Sequence, residues 1–219
     1  MQDGQRTYLP AAGHDWALFL YDPFVKLLGG DQARKALLDQ TALRPGHRVL
    51  DIGCGTGTLA VLIKRSHPEV EVVGLDPDPK ALARAQQKAD RAGVSVQFDK
   101  GFSDSLPYHD PDASFDRVFS SMMFHHLPVA DKEKTLQEVR RVLKSDGSFH
   151  MADFGGPDDR TTGWLAKRIH SNEHLKDNSV KKILALMSGA GFGDATTTGH
   201  CDFRLGLGRA YFYRATASK

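Results

Sequence analysis

The stretch Val49-Leu50-Asp51-Ile52-Gly53-Cys54-Gly55-Thr56-Gly57-Thr58-Leu59-Ala60 decides the fold. Val49 to Ile52 is a short apolar run that ends in a glycine cluster. Apolar residues resume at helical spacing in Leu59, Ala60, Leu62 and Ile63. A buried strand, a tight turn and a helix follow from that pattern, the first step of a doubly wound sheet. Glycines at 53, 55 and 57 permit positive φ and leave no Cβ between backbone and ligand. A ligand is therefore expected at the carboxyl end of the strand, near the helix N-terminus.

The surroundings sharpen this. Val70 to Leu75 reads as the next strand and ends in Asp76. An acid roughly 20 residues beyond the loop is where nucleoside-binding sheets hold a ribose diol. The loop is G-x-G-x-G rather than the G-x-G-x-x-G of a nicotinamide dehydrogenase. No Lys-Ser or Lys-Thr pair follows, so a Walker-type phosphate loop is unsupported.

With these pieces in view, the sequence resembles the S-adenosylmethionine-dependent methyltransferases of the Rossmann-like class. The resemblance lies in VLDIGCGTG at 49–57, VVGLD at 72–76, LPYHDPDASFDRVFSSMMFHHL at 106–127 and LKSDGSFHMADF at 143–154. Within that class it looks most like the small-molecule branch that includes the ubiquinone/menaquinone-type enzymes. The resemblance implies an α/β fold: a mostly parallel, seven-stranded sheet with helices on both faces and an N-terminal helical lid. It implies a lid segment over 1–43 and a cofactor-binding domain over 44–219, as one structural unit. The implied activity is methyl transfer from S-adenosylmethionine to an oxygen, nitrogen, sulfur or activated carbon of a small molecule.

Composition sets bounds. The 219 residues suit one domain, with 40% apolar and 26% charged residues. A net charge of +2 gives no footprint for a nucleic-acid partner. No stretch is long and apolar enough to span a membrane. Met1 to Arg6 carries no apolar signal core, and a cytoplasmic protein is expected. Cys54 and Cys201 offer neither a disulfide framework nor zinc spacing, and no metal site is expected. Oligomeric state is left open.

The remaining elements read as follows. Helical spacing covers Trp16 to Leu27 and Ala33 to Leu38, before Pro45-Gly46 breaks the pattern. Pro79 to Ala92 is a helix stopped by Gly93. Val94 to Phe98 alternates as a third strand and Phe115 to Phe119 is a fourth. Asp131 to Leu143 is a helix, Asp146-Gly147 a turn and Ser148 to Phe154 a fifth strand. Trp164 to Leu175 and Val180 to Ala190 read as helices. Ala195 to Phe203 and Arg209 to Thr216 complete the sheet. Lys167-Arg168 and Lys181-Lys182 read as solvated helix faces.

The resemblance distributes roles. Asp51, Gly53, Gly55 and Gly57 serve the methionine end of the cofactor, with Asp51 alternatively only steadying the loop. Cys54 fills the turn rather than acting as a nucleophile. Asp76 accepts from the ribose and Pro77 packs on adenine. Relatives carry a Gly-Asp-Ala-like triplet where this chain has Gly101-Phe102-Ser103. Phe102 would stack on the ring, and Ser103 or Asp104 would take the polar contact. Ser120 lies near the cofactor. Ser120-Ser121-Met122-Met123 is not the motif of DNA amino-methyltransferases, and neither cysteine follows a proline, as carbon-5 cytosine methylation requires.

Tyr21, Trp16, Met122 and His125 are candidates for the acceptor pocket, with Tyr8, His14, Met123 and Phe124 beside them. His125, His126 and Asp153 are candidate bases, while Asp153, His170 and His174 are further candidates for acceptor contact. One of His125 and His126 alternatively caps or packs. The donor is already activated, so alignment is the main requirement, and modest losses are expected from replacing any one candidate base. Two rivals stay open: a non-catalytic module that binds S-adenosylmethionine, S-adenosylhomocysteine or a partner, and a nicotinamide-dependent dehydrogenase.

Overall fold

A computed structural model describes residues 29–109, 115–156, 175, 177–204 and 208–217. Tyr8, His14, Trp16, Tyr21, the helix expected from Trp164, Lys167-Arg168, His170 and His174 lie outside the described residues. Strands and helices alternate as α1 (Gly30–Asp39), β1 (Arg48–Ile52), α2 (Thr58–Ser66), β2 (Glu71–Asp76), α3 (Pro79–Ala92) and β3 (Gln97–Lys100). Then come β4 (Phe115–Ser121), a 3₁₀ turn (Phe124–His126), α4 (Val129–Val142), β5 (Leu143–Phe154), α5 (Val180–Gly189), β6 (Gly193–Asp202) and β7 (Arg209–Thr216).

The strands form one seven-stranded sheet in the order β3-β2-β1-β4-β5-β7-β6. β1 to β5 pair in parallel, and β7 runs antiparallel to both β5 and β6. The order reverses between β1 and β4, which opens a crevice at their carboxyl ends. Asp51 and Ile52 of β1 lie opposite Gly74 and Leu75 of β2, so Asp51 and Asp76 stand at the same edge of the sheet.

Alternation along each strand divides the core between two faces. Leu50, Ile52, Val73, Leu75, Val118, Phe149 and Met151 pack with Leu136 and Val139 of α4 and Ile183 and Met187 of α5. Val49, Val72, Phe119 and Ala152 pack on the other face, with Ala33, Leu37 and Leu38 of α1 and Leu59, Ala60 and Ile63 of α2. α1 is thus part of the body of the domain. Burying side chains of this size contributes about 1.5–3 kcal/mol each.

Helix α3 shows how the local signals act. Pro79 opens it, and the Asp78 carboxylate accepts from the Lys80 N–H at 2.8 Å. Gly93, at φ 65°, ends it. The Val94 N–H then returns to the Ala89 carbonyl at 3.1 Å. This corrects the expected third strand: Val94 closes the helix end, and β3 begins at Gln97. Helix α4 starts at Val129, behind Pro128, rather than at Asp131. β5 begins at Leu143, and its register against β4 slips so that Phe115 meets Leu143 and Arg117 meets Ser148. The expected Asp146-Gly147 turn is an irregularity inside a longer strand.

Candidate active site

The glycine loop is held from the neighbouring strand. Asp76 Oδ2 accepts from the Gly55 N–H and its Oδ1 from the Asp78 N–H, each at 2.9 Å. Burial raises the Asp76 pKa above its ordinary value, and the same two N–H groups pull it back. Gly55 has φ 52°, and a Cβ built there would meet nothing within 4 Å. Open space of that kind is what a ligand lying on the loop requires. Gly53 differs: at φ 65°, its added Cβ would lie 2.3 Å from Met123 Cγ. Met123 reaches it because Met122 takes a positive φ of 56°, which turns the chain sharply out of β4.

Asp51 stands beneath the loop, 1% exposed. Its Oδ2 is buried without a hydrogen-bond partner. Burial pushes its pKa up to about 7, opposed by the Arg34 guanidinium and the Ala60 N–H and reinforced by Asp76. Arg34, from α1, has a side chain only 10% exposed and reaches Asp31 at 3.4 Å. Ser120 Oγ, at the end of β4, is buried and unpartnered as well. Orphaned buried polar atoms are rare, and these two border the crevice. Cys54 is buried, and burial together with the charges of Asp51 and Asp76 raises its thiol well above the ordinary value. It packs beside Gly74 as turn filler.

Residues 101–109 form the wall beyond Asp76. The Leu106 N–H donates to Glu138 at 2.7 Å, and Arg141 donates to the Tyr108 and Leu106 carbonyls at 2.5 and 3.1 Å. The Tyr108 hydroxyl donates to Asp99 at 3.0 Å. Ser103 Oγ is 2.9 Å from Thr135 Oγ1 of α4. Its hydroxyl therefore serves the attachment of this wall, which makes Phe102, partly buried beside it, the stronger candidate for the ring of a nucleoside. Pro77 is partly buried next to Asp76.

The candidate bases do not stand alone. His125 Nδ1 lies 2.7 Å from Asp153 Oδ1, and the His125 N–H donates to Asp153 Oδ2 at 3.2 Å. Asp153 is 0% exposed. Burial alone would raise its pKa, yet His125, His126 and the Phe154 N–H hold it below the ordinary carboxylate value. The other partners of this carboxylate are donors, so it faces Nδ1–H, and in the neutral imidazole Nε2 is the acceptor. Nε2 has no hydrogen-bond partner among the described residues, and the side chain keeps 10% of its surface exposed. The His126 ring lies 4.0 Å from that of His125, and Phe154 meets His125 edge-on at 5.1 Å. Neither histidine caps α4, whose N-cap is Pro128. Among the candidates for acceptor lining, Met122 packs toward the α1–α2 face and Met123 toward the α4–α5 face.

Several contributors are silent in the sequence. Arg34 is one basic residue on an amphipathic helix. Lys132 and Asn178, which contact the Asp153 network, read as ordinary surface residues until they are found buried. For Lys132 the signal is its place on the apolar stripe Lys132, Thr135, Leu136, Val139. No group of His, Cys, Asp and Glu among the described residues could hold a metal ion. No helix among them is long and apolar enough to cross a membrane.

Known proteins share this layout. A family model described as a methyltransferase domain matches residues 49–147. The chain is 38% identical over 131 residues to the demethylmenaquinone methyltransferase of Deinococcus radiodurans, covering 59% of this chain and 53% of that protein. It is 32% identical over 154 residues to the uncharacterized methyltransferase sll0829 of Synechocystis sp., covering 69% of this chain and 67% of that protein. The chain thus spans about half to two thirds of the length of these curated relatives. Phosphoethanolamine N-methyltransferase 2 of Haemonchus contortus, solved in complex with S-adenosyl-L-methionine, superposes with a TM-score of 0.78 at 17% identity. The match covers 98% of this chain and 61% of that one, and it shows the shared fold. The glycine loop and the strand-end acid lie within the residues that the family model matches, and the chain belongs to the methyltransferase-domain family.

Proposed function

We propose that this protein transfers a methyl group from S-adenosylmethionine to a hydroxyl of a small, partly apolar molecule, with His125 as the base. Its residues fit that methyl donor. The space over Gly55 would admit the donor's backbone-bound end. Asp51, with its unpartnered oxygen, would accept from the ammonium group, and Arg34 would face the carboxylate. Asp76 would exchange its loop contacts for the ribose hydroxyls, while Phe102 and Pro77 would flank the adenine. Ser120 would close the crevice floor. When bound, S-adenosylmethionine supplies an electrophilic methyl carbon on a positively charged sulfur.

The chain's own work is alignment, exclusion of water and removal of one proton. Met123 lies over Gly53, and the Phe154 ring gives His125 an apolar neighbour. His125 Nε2 would accept the acceptor's O–H proton as its oxygen takes the methyl group, whose bond to sulfur breaks so that S-adenosylhomocysteine leaves. Asp153 stabilises the imidazolium that results. The observation that carries this role is the 2.7 Å contact between His125 Nδ1 and Asp153 Oδ1. Residues 1–43 are assigned the closing of the acceptor pocket, and residues 44–219 the donor site. Within 1–43, α1 packs on the sheet and adds Arg34 to the donor site beside Asp51. A cytoplasmic setting belongs to the same proposal and is supported by the two free cysteines.

The test is release of S-adenosylhomocysteine from labelled donor across phenols, aliphatic alcohols, amines, thiols and activated carbons. Turnover confined to hydroxyl acceptors supports the proposal. Turnover only with thiols or activated carbons would contradict the hydroxyl assignment, and no turnover with any class favours a binding module.

A further inference from the structure

We infer that Lys132 and Asn178 are positioning residues that fix the tautomer of His125, acting through Asp153. The inference rests on the assignment of His125 as the base, although its test is independent of turnover.

Lys132 is 0% exposed on α4, at a position where the helix stripe calls for an apolar residue. A buried ammonium is costly to keep. Its Nζ donates to Asn178 Oδ1 at 2.9 Å and lies 5.9 Å from the centre of the Phe124 ring. Asn178 is also 0% exposed, just ahead of α5. Its Nδ2 donates to the Phe154 carbonyl and, at 3.4 Å, to Asp153 Oδ1, the same oxygen that holds His125. The chain of contacts therefore runs from α4 through the α5 approach and β5 to the 3₁₀ turn.

The direction of the Asn178 amide is the central point. Reversed, its oxygen would face the Phe154 carbonyl and the Asp153 carboxylate, and its NH₂ would face an ammonium. Lys132 selects the orientation in which every group around Asp153 donates. With only donors around it, Asp153 has one role left toward His125, that of acceptor from Nδ1–H. Nε2 is thereby kept as the lone pair.

Asn178 takes part of the carboxylate's hydrogen-bonding capacity. Among the described residues, the other charged and titratable groups near the dyad are His126 beside it and Lys132 from α4, with Asp177 and Lys182 around Lys132 on the α5 side.

Nitrogen-15 NMR of the full chain, labelled at histidine, reads the tautomer directly. The expected wild-type state is Nδ1–H at His125. Lys132→Met and Asn178→Ala should each give a mixed tautomer at His125. An unchanged tautomer in the folded variants would overturn the inference. If Lys132→Met does not fold by circular dichroism, Asn178→Ala, which removes only the amide, decides alone. Full turnover in His125→Gln would remove the base assignment and leave a tautomer change standing. An unchanged tautomer would remove the brace and leave the base assignment standing.

Discussion

His125 Nδ1 and Asp153 Oδ1 meet at 2.7 Å across 28 residues of sequence, in a setting where Asp153 has no exposed surface. Sequence alone makes these two residues separate candidates and alignment a sufficient mechanism. Their contact adds a base with an orienting carboxylate. His125→Gln and Asp153→Asn should therefore each lower turnover by ~10²–10⁴-fold, with S-adenosylhomocysteine affinity little changed. Single-turnover assays at saturating donor measure this. Losses under tenfold in both variants would mean that alignment suffices.

The wall beside Asp76 separates two neighbours. Phe102 is assigned to the adenine, whereas Ser103 is tied to Thr135 at 2.9 Å. Phe102→Ala should weaken S-adenosylhomocysteine binding by roughly fivefold, comparable with losing a ring stack of ~1 kcal/mol. Ser103→Ala should leave affinity unchanged and lower stability by about 1 kcal/mol. Calorimetry and denaturant melts distinguish the two, and the reverse pattern would move the adenine toward Ser103.

Asp51 offers a proton signal. Its pKa is pushed up to about 7 in the ligand-free site, first by burial. An ammonium beside it favours the carboxylate, so its pKa falls on binding. Titration at pH 6 should then release on the order of one proton per ligand, declining as pH rises above 7. Comparing buffers of different ionisation enthalpy measures the release. Asp51→Asn should abolish it, and equal release from that variant would place the proton elsewhere.

His150 makes a stability prediction on the other face of β5. Burial, with Arg117 and Arg214, pushes its pKa down to about 3 from 6.5. The unfolded chain therefore binds more protons between those values. The contribution is fully present above pH 6.5 and is lost as pH falls toward 3. Thermal melting should decline through that window, and His150→Gln should flatten the decline. An identical slope in the variant would assign the acid sensitivity to other groups.

The parts of the fold that were legible in the sequence are those with a period or a breaker. Val49 to Ile52, the glycines behind it and Pro79 with Gly93 each specify a local geometry that neighbours do not alter. Val94 to Phe98 was misread because alternation over so few residues cannot distinguish a strand from the closing turn of a helix. Asp51 and Asp76 were legible because a loop and a strand end fix where they stand. Arg34, Lys132 and Asn178 were not, since a charged or amide side chain gives no sequence sign of being buried. The His125–Asp153 contact depends on β5 lying beside β4, a long-range pairing that local pattern does not encode.

The central claim is that the crevice between β1 and β4 binds a methyl donor through the glycine loop and Asp76. Isothermal titration of the full chain with S-adenosylmethionine, S-adenosylhomocysteine and NAD tests it most directly. Both sulfur ligands should bind and NAD should not. Asp76→Ala should lose ~10-fold or more, for charge-assisted hydrogen bonds of about 1.5–3 kcal/mol each. Tight NAD binding, or undiminished S-adenosylhomocysteine affinity in Asp76→Ala, would contradict it.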